Sequence, residues 1–589
     1  MQKNTSAKAR RFIYIMVVFF LCLVFQTHAD EIEALQWNSS HIISLNSGVS
    51  LLKFSSSGLG VYPYAYSTPG LGLNVYIDSV PLRSLSPFGP DLELVPSQFT
   101  SSIEYDGWDE LNIVTKDITD DETEPFTDTG FLIGSRRRFN FDIIFNRSLS
   151  ERSGIIIGGS SSGIHGGENT EKNALRAYYL KYRNKLENDS AVTFSIQSFR
   201  DRDGLIDLDN VTLSNGRKAG THMGERRTDN LSVSLGVDAY PLGSETSVSP
   251  TLYFQSANSR FDHYGLRKSL DEKSAGLNVF LSRKSGDNIY RIHAMNDSRF
   301  FNSRLHEETW TRNESELSVS FNRRKDKYRL HLESGFINSS KYGSGGKIKG
   351  EYALLTQPGH EIILRGISSE RFPDTGQEYY TSLIYSDTTL VSNVDKFNIS
   401  QIESGVRFNK ENYNLEVFAF GSYSKLPLFE VSPQLYNRVT YALPAINTTH
   451  IRMSSREKSY GYRVSADTHF EKLYAFDAAF NFSQRPGENN VNYYPSFEFN
   501  SNIQMSGNFI NNKMKTTAFM NAGILRWNNS DITPNGNHFL IDCGLLIHVS
   551  TLQLFYRIEN VLNEDIEWFN SMGWLGRNAM WGGKWVFYD

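Results

Sequence analysis

Cysteine is almost missing from this chain. There are two in 589 residues, Cys22 and Cys543. Cys22 sits in an apolar run near the start, which leaves Cys543 alone, so no internal disulfide and no cysteine metal cluster can form. Proline is scarce too, 17 in all, and it tends to fall between alternating runs, as strand ladders require. Basic excess is absent: 60 Lys and Arg stand against 65 Asp and Glu, a net charge of −5, which argues against a nucleic-acid partner. Beyond residue 25 no apolar run is long enough for a membrane helix of about 20 residues. Mean hydropathy is −0.41, yet aromatics reach 13%. Low hydropathy with many aromatics suits strands that turn one face to lipid and the other to water.

The first 29 residues have the layout of a secretory signal peptide. Lys3, Lys8, Arg10 and Arg11 are its basic end, Phe12 to Phe25 its apolar core, and Thr27-His28-Ala29 its cleavage site. Cleavage there would take the net charge from −5 to −9, since four basic and no acidic residues leave.

From about residue 129 the chain alternates with period two. Phe139, Phe141, Ile143 and Phe145 fall on one face; Leu231, Val233, Leu235 and Val237 fall opposite Ser232 and Ser234. Two hairpins are plain. Leu317, Val319 and Phe321 precede a charged turn at Arg323–Lys327, and Tyr328, Leu330 and Leu332 return. Ile402 to Phe408 lead to a turn at Asn409–Asn412, and Tyr413 to Ala419 return. Asn215-Gly216 and Asn535-Gly536 are further turn signals. At about 20 to 22 residues per strand with its connection, residues 129–589 hold roughly 22 strands. The polar stretches 160–170, 201–222 and 367–380 are expected as long outer loops. At the end, Trp581, Gly583, Trp585 and Phe587 share one face of a final strand. Large aromatics in that row need apolar surroundings, and lipid supplies them. The expected fold is all-β and transmembrane: a closed antiparallel outer-membrane barrel of about 22 strands.

Chemical motifs fail on context. Gly159-Ser160-Ser161-Ser162-Gly163 matches G-x-S-x-G, but no helix follows, and a Gly/Ser loop is expected. His306-Glu307-Glu308 lacks the second histidine of a zinc protease. Gly343 to Gly350 lacks the Gly-Lys-Ser/Thr order of a P-loop and reads as a glycine turn. No catalytic residue and no cofactor is expected. A loop calcium is the one metal candidate: Asp201, Asp203, Asp207 and Asp209 offer hard oxygens around Gly204. Arg136-Arg137-Arg138 should open the first barrel strand, at the level of lipid headgroups or, as the alternative, lining the lumen where it would attract anions.

Residues 30–128 lack the barrel rhythm and end in an acidic linker, Asp117 to Gly130. Here the chain resembles the TonB-dependent receptor family. The family's plug motifs have counterparts at Asn74–Leu82 with Asp78 and Pro81, at Asp91–Pro96, at Ile103-Glu104-Tyr105, and at Leu111–Lys116 with Asn112 and Thr115. Gly48–Gly58 resembles the strand that starts the ordered plug. Glu559–Ile566 resembles the family's penultimate-strand motif, and Gly576-Arg577 its closing Gly-Arg. Three departures stand out. Asp78-Ser79 replaces Asp-Gly; only Asp106–Glu110 separates two strands normally joined by a glycine-rich stretch; and Tyr588 and Asp589 follow the terminal aromatic. Only 18 residues, 30–47, precede Gly48, so the plug is shortened; Asp30–Leu35 is acidic and apolar as TonB boxes can be. The resemblance implies a signal at 1–29, a reduced plug and linker at 30–128, and a barrel at 129–589. It implies a monomer in the cell outer membrane, placed there by the barrel assembly machinery. That monomer would take up a scarce small-molecule ligand, such as a metal chelate or a cobalamin-like cofactor, with the TonB complex as partner if energised. A partly plugged passive porin, or a surface-binding barrel without transport, are the alternatives.

Overall fold

The structure is a computed structural model. It describes residues 49–53, 61–65, 73–83, 85, 90–118, 125–135, 138–165, 172–186, 190–204, 225–241, 243, 245–263, 266–303, 308–375, 396–410, 413–425, 427–431, 448–453, 457–470, 474–484, 495–511, 513–527, 536–564, 566–568, 572–573 and 576–588. The signal and TonB-box readings fall outside these residues, as does the turn at Asn215-Gly216.

Twenty-two antiparallel strands form one closed barrel. Each pairs with its sequence neighbour in the ring, and the last, Asn578–Tyr588, closes on the first, Phe126–Gly134. Closure satisfies every edge, which a strand bundle in hydrocarbon demands. Strand length runs from 8 residues (Leu552–Glu559) to 20 (Leu266–Ser285). About 10 residues suffice to cross a bilayer, so the longest strands project well beyond it. One rim carries two-residue turns, as at Glu151-Arg152, Gly286-Asp287, Asp326-Lys327 and Pro358-Gly359. At the other rim consecutive strands end and begin far apart in sequence, as at Gly204 and Glu225 or Arg371 and Phe397.

Period two becomes inside and outside. Phe139, Phe141 and Ile143 are exposed outward, while Asp142, Ile144 and Asn146 are buried inward. The two hairpins form as expected, with turns at Asp326-Lys327 and beyond Lys410. Trp581, Trp585 and Phe587 lie on the outer face of the closing strand, and Trp581 meets Phe131 edge-on at 5.9 Å.

Several boundaries differ from the sequence expectation. The first strand starts at Phe126, inside the stretch read as linker, because Asp128 turns inward to Lys584 at 2.9 Å. Gly159–Gly163 is no loop: it lies in the strand Ser153–His165, where small side chains make room for what lies inside. Ile367 to Arg371 ends a strand instead of opening a loop. Gly343–Gly350 is likewise strand, not turn; only Gly343, at φ +72°, is left-handed. Glu559 ends its strand, and Asn560 and Asn563, both at positive φ, turn the chain before Ile566. Arg138 opens the second strand, not the first, and points inward to Glu559 at 3.3 Å, away from headgroups; Arg136 and Arg137 lie outside the described residues.

Before the barrel come six short strands: β1 (Val49–Lys53), β2 (Val61–Ala65), β3 (Asn74–Ile77), β4 (Val80–Pro81), β5 (Thr100–Tyr105) and β6 (Glu110–Thr115). β1 and β2 pair with each other. The others form one sheet in the order β4-β3-β6-β5, with β3 and β6 parallel. This sheet packs against inward-facing residues of the barrel wall. Its Val75, Ile77, Leu94, Phe99, Leu111 and Ile113 share one apolar core with the wall's Ile144, Ile156, Ala177, Tyr179 and Phe199.

Candidate functional site

The contact between inner sheet and wall is the site. It is built from two chemically different sides. The apolar side lies on the strands Arg138–Ser150, Ser153–His165, Lys172–Lys185 and Ala191–Gly204. Phe99 stacks on Tyr179 at 5.3 Å and lies over Gly158, where an added Cβ would meet its ring at 2.4 Å. Glycine at 158 is what lets the inner segment reach the wall.

The opposite side is ionic. The link between β5 and β6 is Asp106-Gly107-Trp108-Asp109-Glu110. Asp106 Oδ1 accepts the backbone N–H groups of Trp108, Asp109 and Glu110 at 2.8, 3.0 and 3.0 Å, which fixes a tight knuckle. Gly107, at φ +87°, supplies the left-handed step, and Arg365 leaves no room for a Cβ there. Lys349 Nζ reaches Asp106 and Asp109 at 2.7 Å each and Glu110 at 3.4 Å. Lys347 reaches Glu110 at 2.6 Å and the wall's own Glu333 at 3.2 Å. Arg371 bonds both the side chain and the carbonyl of Asp109, at 2.7 and 2.8 Å. Trp108 is buried under the Arg365 guanidinium, 5.1 Å from its ring centre, and Glu403 holds Arg365 at 2.5 Å.

Burial alone would raise the Asp109 and Glu110 carboxyls. For Asp109 the Lys349 and Arg371 cations outweigh it and hold the carboxyl well below the usual range. For Glu110 the lysines at 347 and 349 do the same and bring it to about 2. Asp106, Asp109 and Glu110 come close enough to share a metal ion. Each already has a cation at ion-pair distance, so their chemistry here is that of a lock between two surfaces.

Between the two sides the wall grips the turn after β3. Asn278, Gln255 and Asn230, on three successive strands, donate their amides to the carbonyls of Ser79, Pro81 and Arg83 at 2.8, 2.7 and 2.9 Å. The Arg83 guanidinium pairs with buried Asp297, which Arg299 also holds at 2.8 Å. Asp78 and Ser79 both sit at positive φ, 47° and 67°, a turn geometry that usually takes glycine second. Asp78 accepts the backbone N–H of Thr115 at 2.9 Å and its hydroxyl as well, and Lys181 lies 3.7 Å from it. Thr115 in turn meets the Tyr179 hydroxyl at 2.7 Å.

The structure thus brings Asp78, Pro81 and Thr115 together at the wall. Pro96 is elsewhere, its carbonyl capping the short turn to Phe99 and Thr100. Asp91 is buried beside a 3-10 turn. Glu104 and Asn112 face each other across β5 and β6, and Glu104 is exposed. Of the calcium candidates, Asp201 and Asp203 lie in the extended strand Ala191–Gly204, with Asp201 buried inward; Asp207 and Asp209 fall outside the described residues. A straight strand cannot wrap its carboxylates around one ion as a bent loop does, so the loop expected at 201–204 is corrected.

Sequence reasoning missed Lys347, Lys349, Arg365 and Arg371. The signal was present: Lys347, Lys349 and Glu351 alternate with Ile348, Gly350 and Tyr352, the period of a strand with a charged inner face.

A closed barrel of 22 strands with a small sheet against its inner wall defines a class: the chain has the fold of the TonB-dependent receptors. Solved structures give it particulars. The FrpB iron transporter from Neisseria meningitidis (F3-3 variant) superposes with a TM-score of 0.73 at 9% identity, over 95% of this chain and 99% of that one. The siderophore receptor PirA from Acinetobacter baumannii gives 0.69 at 11%, over 94% and 96%. The copper transporter OprC gives 0.71 at 10%, over 95% and 97%. The sequence matches no protein-family model and no curated relative.

Proposed function

We propose that this chain is an outer-membrane transporter of the TonB-dependent kind, taking up a scarce nutrient such as a metal chelate or a cobalamin-like cofactor. The observation that carries the reading is a wide barrel whose inner wall holds residues 73–83 and 90–118 through an apolar core on one side and, on the other, ion pairs and amide contacts that water can replace. In this reading the inner sheet is the plug, and no bond is made or broken. The matched share of the chain, 95%, supports it, since the barrel alone falls well short of that. Structural neighbours include an iron transporter, a siderophore receptor and a copper transporter.

The test is uptake by cells expressing the full chain, with iron chelates, cobalamin and copper offered in turn, with and without a protonophore. One substrate should accumulate and lose accumulation when the proton gradient is removed. A peptide of residues 30–47 should also pull down the periplasmic TonB domain. Accumulation that ignores the protonophore, with no TonB capture, would end the energised reading.

A second reading has its own observation. Glu351, Arg329, Glu361, Arg407 and Glu416 form a continuous ion-pair belt on the inner wall, with spacings of 2.5 to 3.2 Å. Its side chains keep 15 to 32% exposure. A hydrated charged belt suits passive movement of small solutes past a short plug. Liposomes bearing the protein that do not swell in small sugars would remove this reading.

A further inference from the structure

Basic residues gather on the outside of the barrel, in a place the transport reading leaves unused. Five neighbouring strands, from Lys172–Lys185 to Leu266–Ser285, turn an apolar face outward: Tyr178, Leu231, Leu235, Leu252, Phe254 and Leu277 are 40 to 57% exposed. On the long-loop side of that band the same outward face becomes cationic. Arg176, Arg200, Arg202, Arg227, Arg260 and Lys273 occupy it; the parity of each strand puts them outward, because Ala177, Phe199, Asp201, Asn230, Ser259 and Glu272 beside them are buried inward. Asp229 and Asp271 oppose them within the belt, and strand parity puts Glu225 and Asp262, paired in register, on the same face just beyond it.

The ladder sets like charges side by side. Arg176 pairs in register with Arg200, Arg202 with Arg227, and Arg227 with Arg260. Like charges directly opposite on adjacent strands destabilise a sheet. Asp229 bridges two of them, 2.5 Å from Arg200 and 3.0 Å from Arg227, which leaves the outer edges of both guanidinium groups to meet something else. Arg260 is braced by Asn258 at 3.0 Å. Arginines one to three outward positions beyond the apolar band would stand at headgroup depth in a membrane, where a phosphate takes two parallel N–H bonds from each fork.

We propose that this belt binds a phosphorylated lipid of the leaflet facing the long loops, with more than one phosphate spanning the strands that carry Arg200, Arg227 and Arg260. The apolar residues below would hold its acyl chains, and the phosphates would relieve the repulsion between the arginine pairs. The inference rests on the membrane placement proposed above and is independent of what is transported.

The test uses the full chain in neutral detergent, titrated with bisphosphorylated lipid A, with its monophosphorylated form, and with inorganic pyrophosphate; bound ligand is counted by native mass spectrometry. Lipid A should bind, the monophosphorylated form more weakly, and pyrophosphate not measurably. The triple variant R200Q/R227Q/R260Q should bind lipid A roughly tenfold or more weakly. The control R283Q/R323Q, at the other rim, should bind as the native chain does. Equal binding by the triple variant overturns the proposal, and so does pyrophosphate binding as tight as lipid A, which would make this a soluble-anion site. Insertion into phosphatidylcholine vesicles is measured alongside: failure there sinks the membrane placement, whereas insertion without lipid A preference sinks only the lipid site.

Discussion

The two sides of the inner sheet meet the same wall by opposite means. On one side Phe99, Leu94 and Ile113 share an apolar core with Ile144, Ile156 and Tyr179, with Asp78, Lys181 and Asp142 at its margin. On the other side Asp106, Asp109 and Glu110 meet Lys347, Lys349 and Arg371. Apolar contact is insensitive to pH and keeps its strength in salt. Buried ion pairs are stable only while every partner is present, and they come apart when one is neutralised or hydrated. A surface held in both ways has a permanent side and a releasable one. For a segment that must stay in the barrel yet yield on demand, that difference is the useful feature.

Acid should break the comparison most completely. The Glu110 carboxyl ordinarily titrates near 4.5 and is held at about 2 when docked. A carboxyl held low stabilises docking above its ordinary value, and that contribution is lost as pH falls through the lowered one. Between pH 4.5 and 2 the Glu110 pairs with Lys347 and Lys349 should be lost and the ionic side weakened, while Asp109, held lower still by Lys349 and Arg371, keeps its own pairs. Trp108 fluorescence should change across that window and protease sites in residues 106–110 should appear. An unchanged signal down to pH 2 would contradict the ionic lock.

Removing one cation is the next largest break. Lys349→Met leaves Asp106 with no cation and Asp109 with Arg371 alone, and should weaken docking by about 3 kcal/mol. Protection of the inner segment from protease, against the native chain, measures it; heat-modified gel mobility checks that the barrel itself is intact. On the apolar side, Gly158→Ala drives a methyl into the Phe99 ring and should cost about 1 to 3 kcal/mol, with no dependence on pH. A pH-dependent loss in that variant would mean the two sides are not separate. The smallest effect sharpens the hinge between them. Ser79→Gly relieves a left-handed residue and should stabilise docking by about 1 kcal/mol, because the Asn278 contact is to the Ser79 carbonyl and survives.

Legibility followed sequence distance. The strand at Arg138–Ser150 was readable because Phe139, Phe141 and Ile143 repeat every second residue, and a repeat of that kind is visible within eight positions. Gly159–Gly163 and Gly343–Gly350 were misread for one reason. Glycine and serine carry no hydrophobic signal, so their place in a strand is fixed by distant partners: Ser160 bonds Asp142 on the neighbouring strand in one case, and Lys347 and Lys349 pair with the inner carboxylates in the other. The resemblance at Asp78 and Thr115 located two residues that meet, but nothing near them in sequence pointed to Lys181 or Tyr179.

The chain by itself determined the barrel. Alternation, hairpin turns and the outward row of Trp581, Trp585 and Phe587 are local patterns, and lipid on one face leaves a strand little choice about the other. Only the closed tertiary structure decided the lock. Glu110 and Lys347 are 237 residues apart. They become neighbours because the ring closes around the inner sheet, and the order of strands in that ring determines which wall residue each inner carboxylate meets.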